Sequence, residues 1–218
     1  PPADLGADSI RDEKLKVIKA LTPITRQNVK EKTVRGQYTD GYLNGVPVPG
    51  YLKEEDANQN SNTETFVAIK AEIDNWRWSG VPFYLRTGKR MPAKHSEIVV
   101  HFKAQPHNIF KESYGDLPAN KLTIRLQPDE GVELQMMNKI PGIASQMNIH
   151  ENKLDLSFSE TYENERVVDA YERLMLEVIN GNQSLFVRRD EVEAAWAWAD
   201  GIIEAWGASN DKPKPYAA

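Results

Sequence analysis

Apolar residues recur at intervals of three and four near the start of the chain, where Ile10, Val17, Ile18 and Leu21 fall on one helical face. Ser9 followed by Asp12 matches a helix-capping pattern, and Pro23 stops the run, so the spacing predicts a helix over 9–21. From Thr25 to Thr63 the periodicity fades into a region rich in Gly, Pro, Asn and charge. Only Val34–Tyr38 reads there as extended. Gly45-Val46-Pro47-Val48-Pro49-Gly50 suits neither a helix nor a central strand, and the stretch reads as a solvated crossover loop.

Beyond Thr63 the period becomes two. Val67, Ile69, Ala71 and Ile73 oppose Lys70 and Glu72, and Ile98, Val100 and Phe102 alternate with Glu97, His101 and Lys103. Leu122, Ile124 and Leu126 repeat the pattern, as do Val132, Leu134 and Met136, and then Leu154, Leu156 and Phe158. Pro128-Asp129-Glu130-Gly131 is short enough to join two of these strands as an antiparallel hairpin. Two helices follow. One carries Val167, Ala170, Tyr171, Leu174, Val178 and Ile179 and stops at Asn180-Gly181. The other starts at an Asp190/Glu193 cap and places Val192, Trp196, Ala199, Ile203 and Trp206 on one face, with Trp196 and Trp206 as core. Strands grouped before helices predict an α+β fold, a large, mostly antiparallel sheet with helices packed on one face. The second face, with Met137 among polar groups, is left for packing or an interface.

Composition narrows the function. The 218 residues carry 27 Lys plus Arg against 32 Asp plus Glu, a formal charge of −5, which argues against a general nucleic-acid binder. No apolar run reaches the ~18 residues of a membrane helix. The absence of cysteine excludes disulfides, thiolate metal sites and a cysteine nucleophile, and fits a cytoplasmic location. The opening Pro1-Pro2-Ala3 reads as the start of a piece of something longer.

Glycine-rich nucleotide loops and the Gly-x-Ser-x-Gly elbow are not found in the sequence. His95, His101, His107 and His150 lack partners at metal-ligand spacing, so no metal site is expected; His101 reads as a polar-face strand residue, His107 and His150 as loop residues. One stretch opposes the overall charge. Between Arg86 and Lys103 lie Arg86, Lys89, Arg90, Lys94 and Lys103 against a single acid, Glu97. Gly88 and Pro92 predict a structured turn there. Lys89 and Lys94, five apart on a loop held by strands, can converge on an anion such as a phosphate; solvated surface lysines fit the same composition.

Five segments in order, with the closing Pro213–Tyr216 as a sixth, carry a resemblance. They are Asp74-Asn75-Trp76-Arg77-Trp78 running into Gly80-Val81-Pro82-Phe83-Tyr84-Leu85-Arg86-Thr87-Gly88-Lys89; Leu122-Thr123-Ile124-Arg125-Leu126-Gln127-Pro128; Asp169-Ala170-Tyr171-Glu172-Arg173-Leu174; and Phe186-Val187-Arg188-Arg189-Asp190-Glu191 with the closing Pro213-Lys214-Pro215-Tyr216. The chain resembles, over nearly all its length, the C-terminal part of the glucose-6-phosphate dehydrogenases, most closely the bacterial ones.

The resemblance implies a β+α domain following an N-terminal Rossmann domain that is absent here. It implies oxidation of glucose 6-phosphate at C1 to the 6-phospho-lactone, with NADP, or in some bacteria NAD, as hydride acceptor. It also implies a homodimer or homotetramer built through the sheet. The dinucleotide loop, the substrate-gripping His-Tyr-x-x-Lys segment and the histidine base belong upstream of Pro1, so the piece alone is expected to be inactive.

The family's Lys of Leu-Arg-x-Gly-Lys and the basic residue five positions on correspond to Lys89 and Lys94, which the resemblance makes substrate-binding. Gln127 is a further residue of the substrate neighbourhood, a position that an ordinary polar sheet residue fills as well. Arg86 and Arg125 match two positions of a structural NADP site known in vertebrate members, whereas His95 and Val99 stand where further basic residues would be expected. Two other readings stay open: a non-catalytic, sheet-based oligomerisation module, and a stand-alone phosphate-binding module on the positive turn.

Overall fold

The computed structural model describes residues 2–142, 148–162, 168–209 and 211–218. Val167, expected on a helical stripe, lies outside the described residues. The chain divides into two compact units, one made of residues 1–92 and 169–218 and the other of residues 93–168.

The first unit opens with helix α1 (Ala7–Lys19) and one helical turn, α2 (Val29–Lys32). Strand β1 (Thr33–Thr39), the ribbon β2 (Gly41–Leu43) and β3 (Val46–Val48), β4 (Phe66–Ala71) and β5 (Phe83–Gly88) follow. About half of the 25–63 stretch expected as a loop is therefore regular structure. The Gly-Val-Pro-Val-Pro-Gly segment forms only the β2–β3 pair, where β3 has a single partner and proline costs no ladder bond on the far side.

The second unit contains β6 (Ser96–His101), the turn α3 (Lys111–Tyr114), β7 (Lys121–Gln127), β8 (Gly131–Lys139), β9 (Ile149–Ser157) and the turn α4 (Phe158–Thr161). The chain then returns to the first unit with α5 (Ala170–Ile179), α6 (Arg189–Gly207) and β10 (Lys214–Ala217).

The fold is α+β, as the alternation predicts. Hydrogen bonding joins the strands into two four-stranded sheets and a ribbon rather than one large sheet: β10-β1-β4-β5 in the first unit and β6-β7-β8-β9 in the second. Every pairing is antiparallel except β1 with β10. The 128–131 connector makes the expected hairpin, setting Leu122 opposite Leu134 and Ile124 opposite Val132.

The first unit's core lies between α6 and its sheet. Ile24, Val29, Ile202, Ala205 and Trp206 are buried together, with Val67, Ile69 and Trp198 against them. Trp206 donates its indole N–H to Thr33 Oγ1 at 2.9 Å, and Trp198 to the Thr22 carbonyl at 3.0 Å. Trp196, expected in the core, is 58% exposed. The face of α6 that meets β4 runs through Ile202, Ala205 and Trp206, which turns Trp196 outward.

Caps differ from the sequence expectation as well. Helix α1 is preceded by Gly6, and α6 by Arg188, whose backbone N–H donates to Glu191 at 2.7 Å. The guanidinium of Arg188 meets Asp12 and Asp190, while buried Arg11 donates to the Phe186 and Gln183 carbonyls, tying α1 to the entry of α6. Helix α5 forms with Asp169 as cap, but Tyr171, Val178 and Ile179 remain exposed. Phe158 starts a helical turn instead of extending β9, and His150 is a β9 residue rather than a loop residue.

Candidate sugar-phosphate turn

Strand β5 pairs with β4 as far as Gly88, which faces Phe66, so Arg86 and Thr87 are strand residues and the turn begins later than expected, at Lys89. Gly88 is needed for space: a Cβ there would stand 2.8 Å from the Phe66 ring and 2.9 Å from Met91 Sδ. The Lys89 backbone is held on both sides. Its N–H donates to the Thr65 carbonyl at 2.8 Å, and its carbonyl accepts from Tyr216 Oη at 2.9 Å.

Arg90 has φ 53°, a left-handed conformation that disfavours an L side chain. Side-chain bonds hold it there. Its guanidinium donates to Glu54 at 2.9 Å and lies over the Tyr38 ring, while the Tyr38 hydroxyl donates to the same carboxylate at 3.0 Å. The Arg90 hydrogen bond, followed by that from Tyr38, holds the Glu54 carboxyl below its ordinary range. The Arg90 guanidinium is pushed up, first by Glu54. Burial and then Glu54 raise the Tyr38 hydroxyl.

Arg90 is thus spent on the frame, and Lys89 is left over. Its side chain is exposed, and among the described residues no carboxylate pairs with it. A compact ammonium fixed at its main chain and unneutralised is suited to an anionic ligand.

The other candidates are distributed differently. Arg86, also in the first unit, is an exposed β5 residue opposite Ala68. Lys94, exposed and without an ion pair among the described residues, belongs to the second unit, as do Gln127 and Arg125. Gln127 ends β7 opposite Ser96, beside a bulge in β6.

Arg125 reaches across β8 and forms a two-pronged pair with Asp155, Nη2 at 2.6 Å from Oδ1 and Nη1 at 3.1 Å from Oδ2. Gly131 opens the path, since a Cβ there would lie 2.5 Å from Arg125 Nη2. The pair raises the arginine and lowers the aspartate, each mainly through the shared hydrogen bonds. A guanidinium so engaged must leave Asp155 before it meets a phosphate, so Arg125 does not fit a structural NADP site as it stands. The described residues contain no cluster of His, Asp or Glu able to hold a metal ion. Tyr38, Glu54, Thr65 and Tyr216 could not be read from the sequence as partners of this turn, because they lie on β1, just after the helical turn Tyr51–Lys53, just before β4 and on β10, segments that only the tertiary fold brings together.

Known proteins share this chain's sequence and fold. The family model described as "Glucose-6-phosphate dehydrogenase, C-terminal domain" matches residues 1–218. The glucose-6-phosphate 1-dehydrogenase of Dickeya dadantii is 63% identical over 218 residues, and that of Rhizobium meliloti 57% over 217; each match takes in 100% of this chain and 44% of the relative. A solved structure described as "Glucose-6-phosphate dehydrogenase in complex with its substrate glucose-6-phosphate" superposes with a TM-score of 0.86 at 34% identity, covering 100% of this chain and 43% of that one. The glucose-6-phosphate 1-dehydrogenase of Mycobacterium avium does so at 0.77 and 31%, over 100% of this chain and 41% of that one. The chain spans less than half the length of these relatives, and it belongs to the glucose-6-phosphate dehydrogenase family, matching its C-terminal domain.

Proposed function

We propose that this chain is the part of a cytoplasmic, NADP-dependent glucose-6-phosphate dehydrogenase that helps hold the sugar phosphate while an upstream domain performs the chemistry. The observation that carries this reading is the Lys89 ammonium, exposed and unpaired among the described residues, on a main chain bonded at both N–H and carbonyl. A related protein whose solved structure is described as holding glucose 6-phosphate supports the choice of anion.

Lys89 in the first unit would bind and orient the substrate; Lys94 is the second unit's own candidate substrate cation, with Gln127 a further candidate in that unit. Orientation matters because a misplacement of about 1 Å at the reacting atoms can cost about a hundredfold in rate. NADP, held mainly outside this chain, would supply the hydride acceptor for C1, and the hydroxyl proton would go to a base outside this chain. A homodimer or homotetramer formed through the sheet is part of the same reading.

The test is steady-state kinetics of Lys89→Ala in a full-length dehydrogenase carrying this chain. The Michaelis constant for glucose 6-phosphate is expected to rise at least tenfold, about 1.4 kcal/mol or more, with that for NADP unchanged. Unchanged constants for both would refute the role.

A further inference from the structure

We propose that Tyr216, in the last strand of the chain, is a positioning residue for Lys89 in sugar-phosphate binding. The proposal rests on the reading of Lys89 as a substrate ligand and adds what fixes it. Strand β10 does not touch β4 or β5 through its ladder; it pairs only with β1, with Tyr216 beside Tyr38. The Tyr216 ring nevertheless reaches the far side of β1, because it passes over Gly36. A Cβ on Gly36 would stand 3.0 Å from Tyr216 Cδ1 and 3.2 Å from Cε1. The ring is then held edge-on by Tyr38, at 6.3 Å between centroids, and by Phe66, at 6.0 Å.

Donor accounting fixes the direction of the bonds at its tip. The Lys89 and Thr65 carbonyls beside Tyr216 Oη can only accept, so its hydrogen goes to one of them and the 2.8 Å contact is donated by Thr65 Oγ1, which itself accepts from the Tyr38 N–H at 3.0 Å. The single Tyr216 hydrogen then goes to the Lys89 carbonyl at 2.9 Å in preference to the longer Thr65 carbonyl at 3.2 Å. The result is one line of bonds, Tyr38 N–H to Thr65 hydroxyl to Tyr216 hydroxyl to Lys89 carbonyl. It ends on the residue whose side chain is left free. With the Lys89 N–H already on the Thr65 carbonyl, the Tyr216 bond is the second anchor that keeps the peptide, and with it the lysine stem, from rotating.

The experiment uses a full-length dehydrogenase carrying this chain, with Tyr216→Phe, Lys89→Ala and the double variant. Phenylalanine keeps the ring contacts and removes only the hydroxyl. Loss of one hydrogen bond of ordinary strength corresponds to a rise of about two- to tenfold in the Michaelis constant for glucose 6-phosphate, with that for NADP unchanged. In the Lys89→Ala background the same substitution should add nothing, because its effect is exerted through the lysine. A rise of equal size in both backgrounds, or no rise in Tyr216→Phe while Lys89→Ala raises the constant, overturns the proposal and leaves the Lys89 reading intact. If Lys89→Ala itself has no effect, the reading of the turn falls and the proposal with it. Gly36→Ala, which displaces the ring without removing the hydroxyl, should raise the same constant; its failure to do so would count against the proposal even if Tyr216→Phe did not fold.

Discussion

The two units begin from the same sequence signal and end differently. In the first, alternation places Val67 and Ile69 on one side of β4, and α6 seals that side with Ile202, Ala205 and Trp206, the last only 8% exposed. In the second, alternation is cleaner. Ile98 pairs with Ile124, Val100 with Leu122, Ile124 with Val132, and Leu134 with Leu154, forming a continuous apolar face across four strands. Yet Ile98 is 50% and Leu154 60% exposed, and the unit's helical turns are four residues each. Period-two patterning therefore specifies which side of a sheet is apolar but not what covers it. Cover requires a second element of helical length, and among the described residues only the first unit has one. An open apolar face of this size is the sort that a further part of the protein or another copy buries, which suits the oligomer in the proposed function.

The comparison can be broken most forcefully at its buried end. Trp206→Ala in this chain removes a core indole and its bond to Thr33, and should cost about 3–5 kcal/mol. Leu154→Ala on the open face should cost roughly 1 kcal/mol or less. Denaturant midpoints of the two variants check the contrast, and equal losses would mean that the open face is in fact sealed in solution.

A smaller effect separates backbone room from burial. Gly131→Ala places a Cβ 2.6 Å from the Leu156 carbonyl and against Arg125. Overpacking of this kind should destabilise the β7–β8–β9 ladder by about 1–3 kcal/mol. Hydrogen exchange on β8 and β9 would report the change locally.

Acid should sharpen the contrast with the smallest effect. Among the described residues, the carboxyls of Glu13, Asp40, Glu54, Glu72, Asp190 and Asp211 in the first unit are held below their ordinary range, against Asp155 in the second. Their causes are alike, a hydrogen-bonded Lys or Arg in first place. A carboxyl whose folded pKa is lowered stabilises the fold above its unfolded pKa, near 4. That contribution disappears as pH falls through the lower folded value. Below about pH 4 the first unit should therefore lose more stability than the second, measurable as earlier loss of exchange protection in β1 and β4 than in β7. The reverse order would show that these surface pairs contribute little.

Much of the fold was legible because burial and alternation coincide. The β4 pattern, the β7–β8 hairpin and the α5 stop at Asn180-Gly181 all appear where local spacing predicts them. What failed, failed for physical reasons. On α6, Trp196 and Trp198 each belong to an apolar series at helical spacing, and only contact with β4 selects the second. Strands β3 and β10 contain proline and span three or four residues, so their pairing depends on a neighbour rather than on their own pattern.

The candidate site divides likewise. Lys89 and Lys94 could be named from a local motif and its family likeness. The residues that hold Lys89 could not, since Glu54 is 36 positions from Arg90, and Tyr216 is 127 from Lys89. The family likeness marked Arg125 as a possible ligand of a structural NADP, but a cross-strand aspartate two strands away has taken its fork.

The proposed function stands on binding of the sugar phosphate by the unpaired ammonium of Lys89. Its most direct test is calorimetric titration of glucose 6-phosphate into the full-length dehydrogenase, wild type against Lys89→Ala, without cofactor. At least a tenfold loss of affinity is expected in the variant, with an unchanged thermal midpoint. Equal affinities in two equally folded proteins would contradict it.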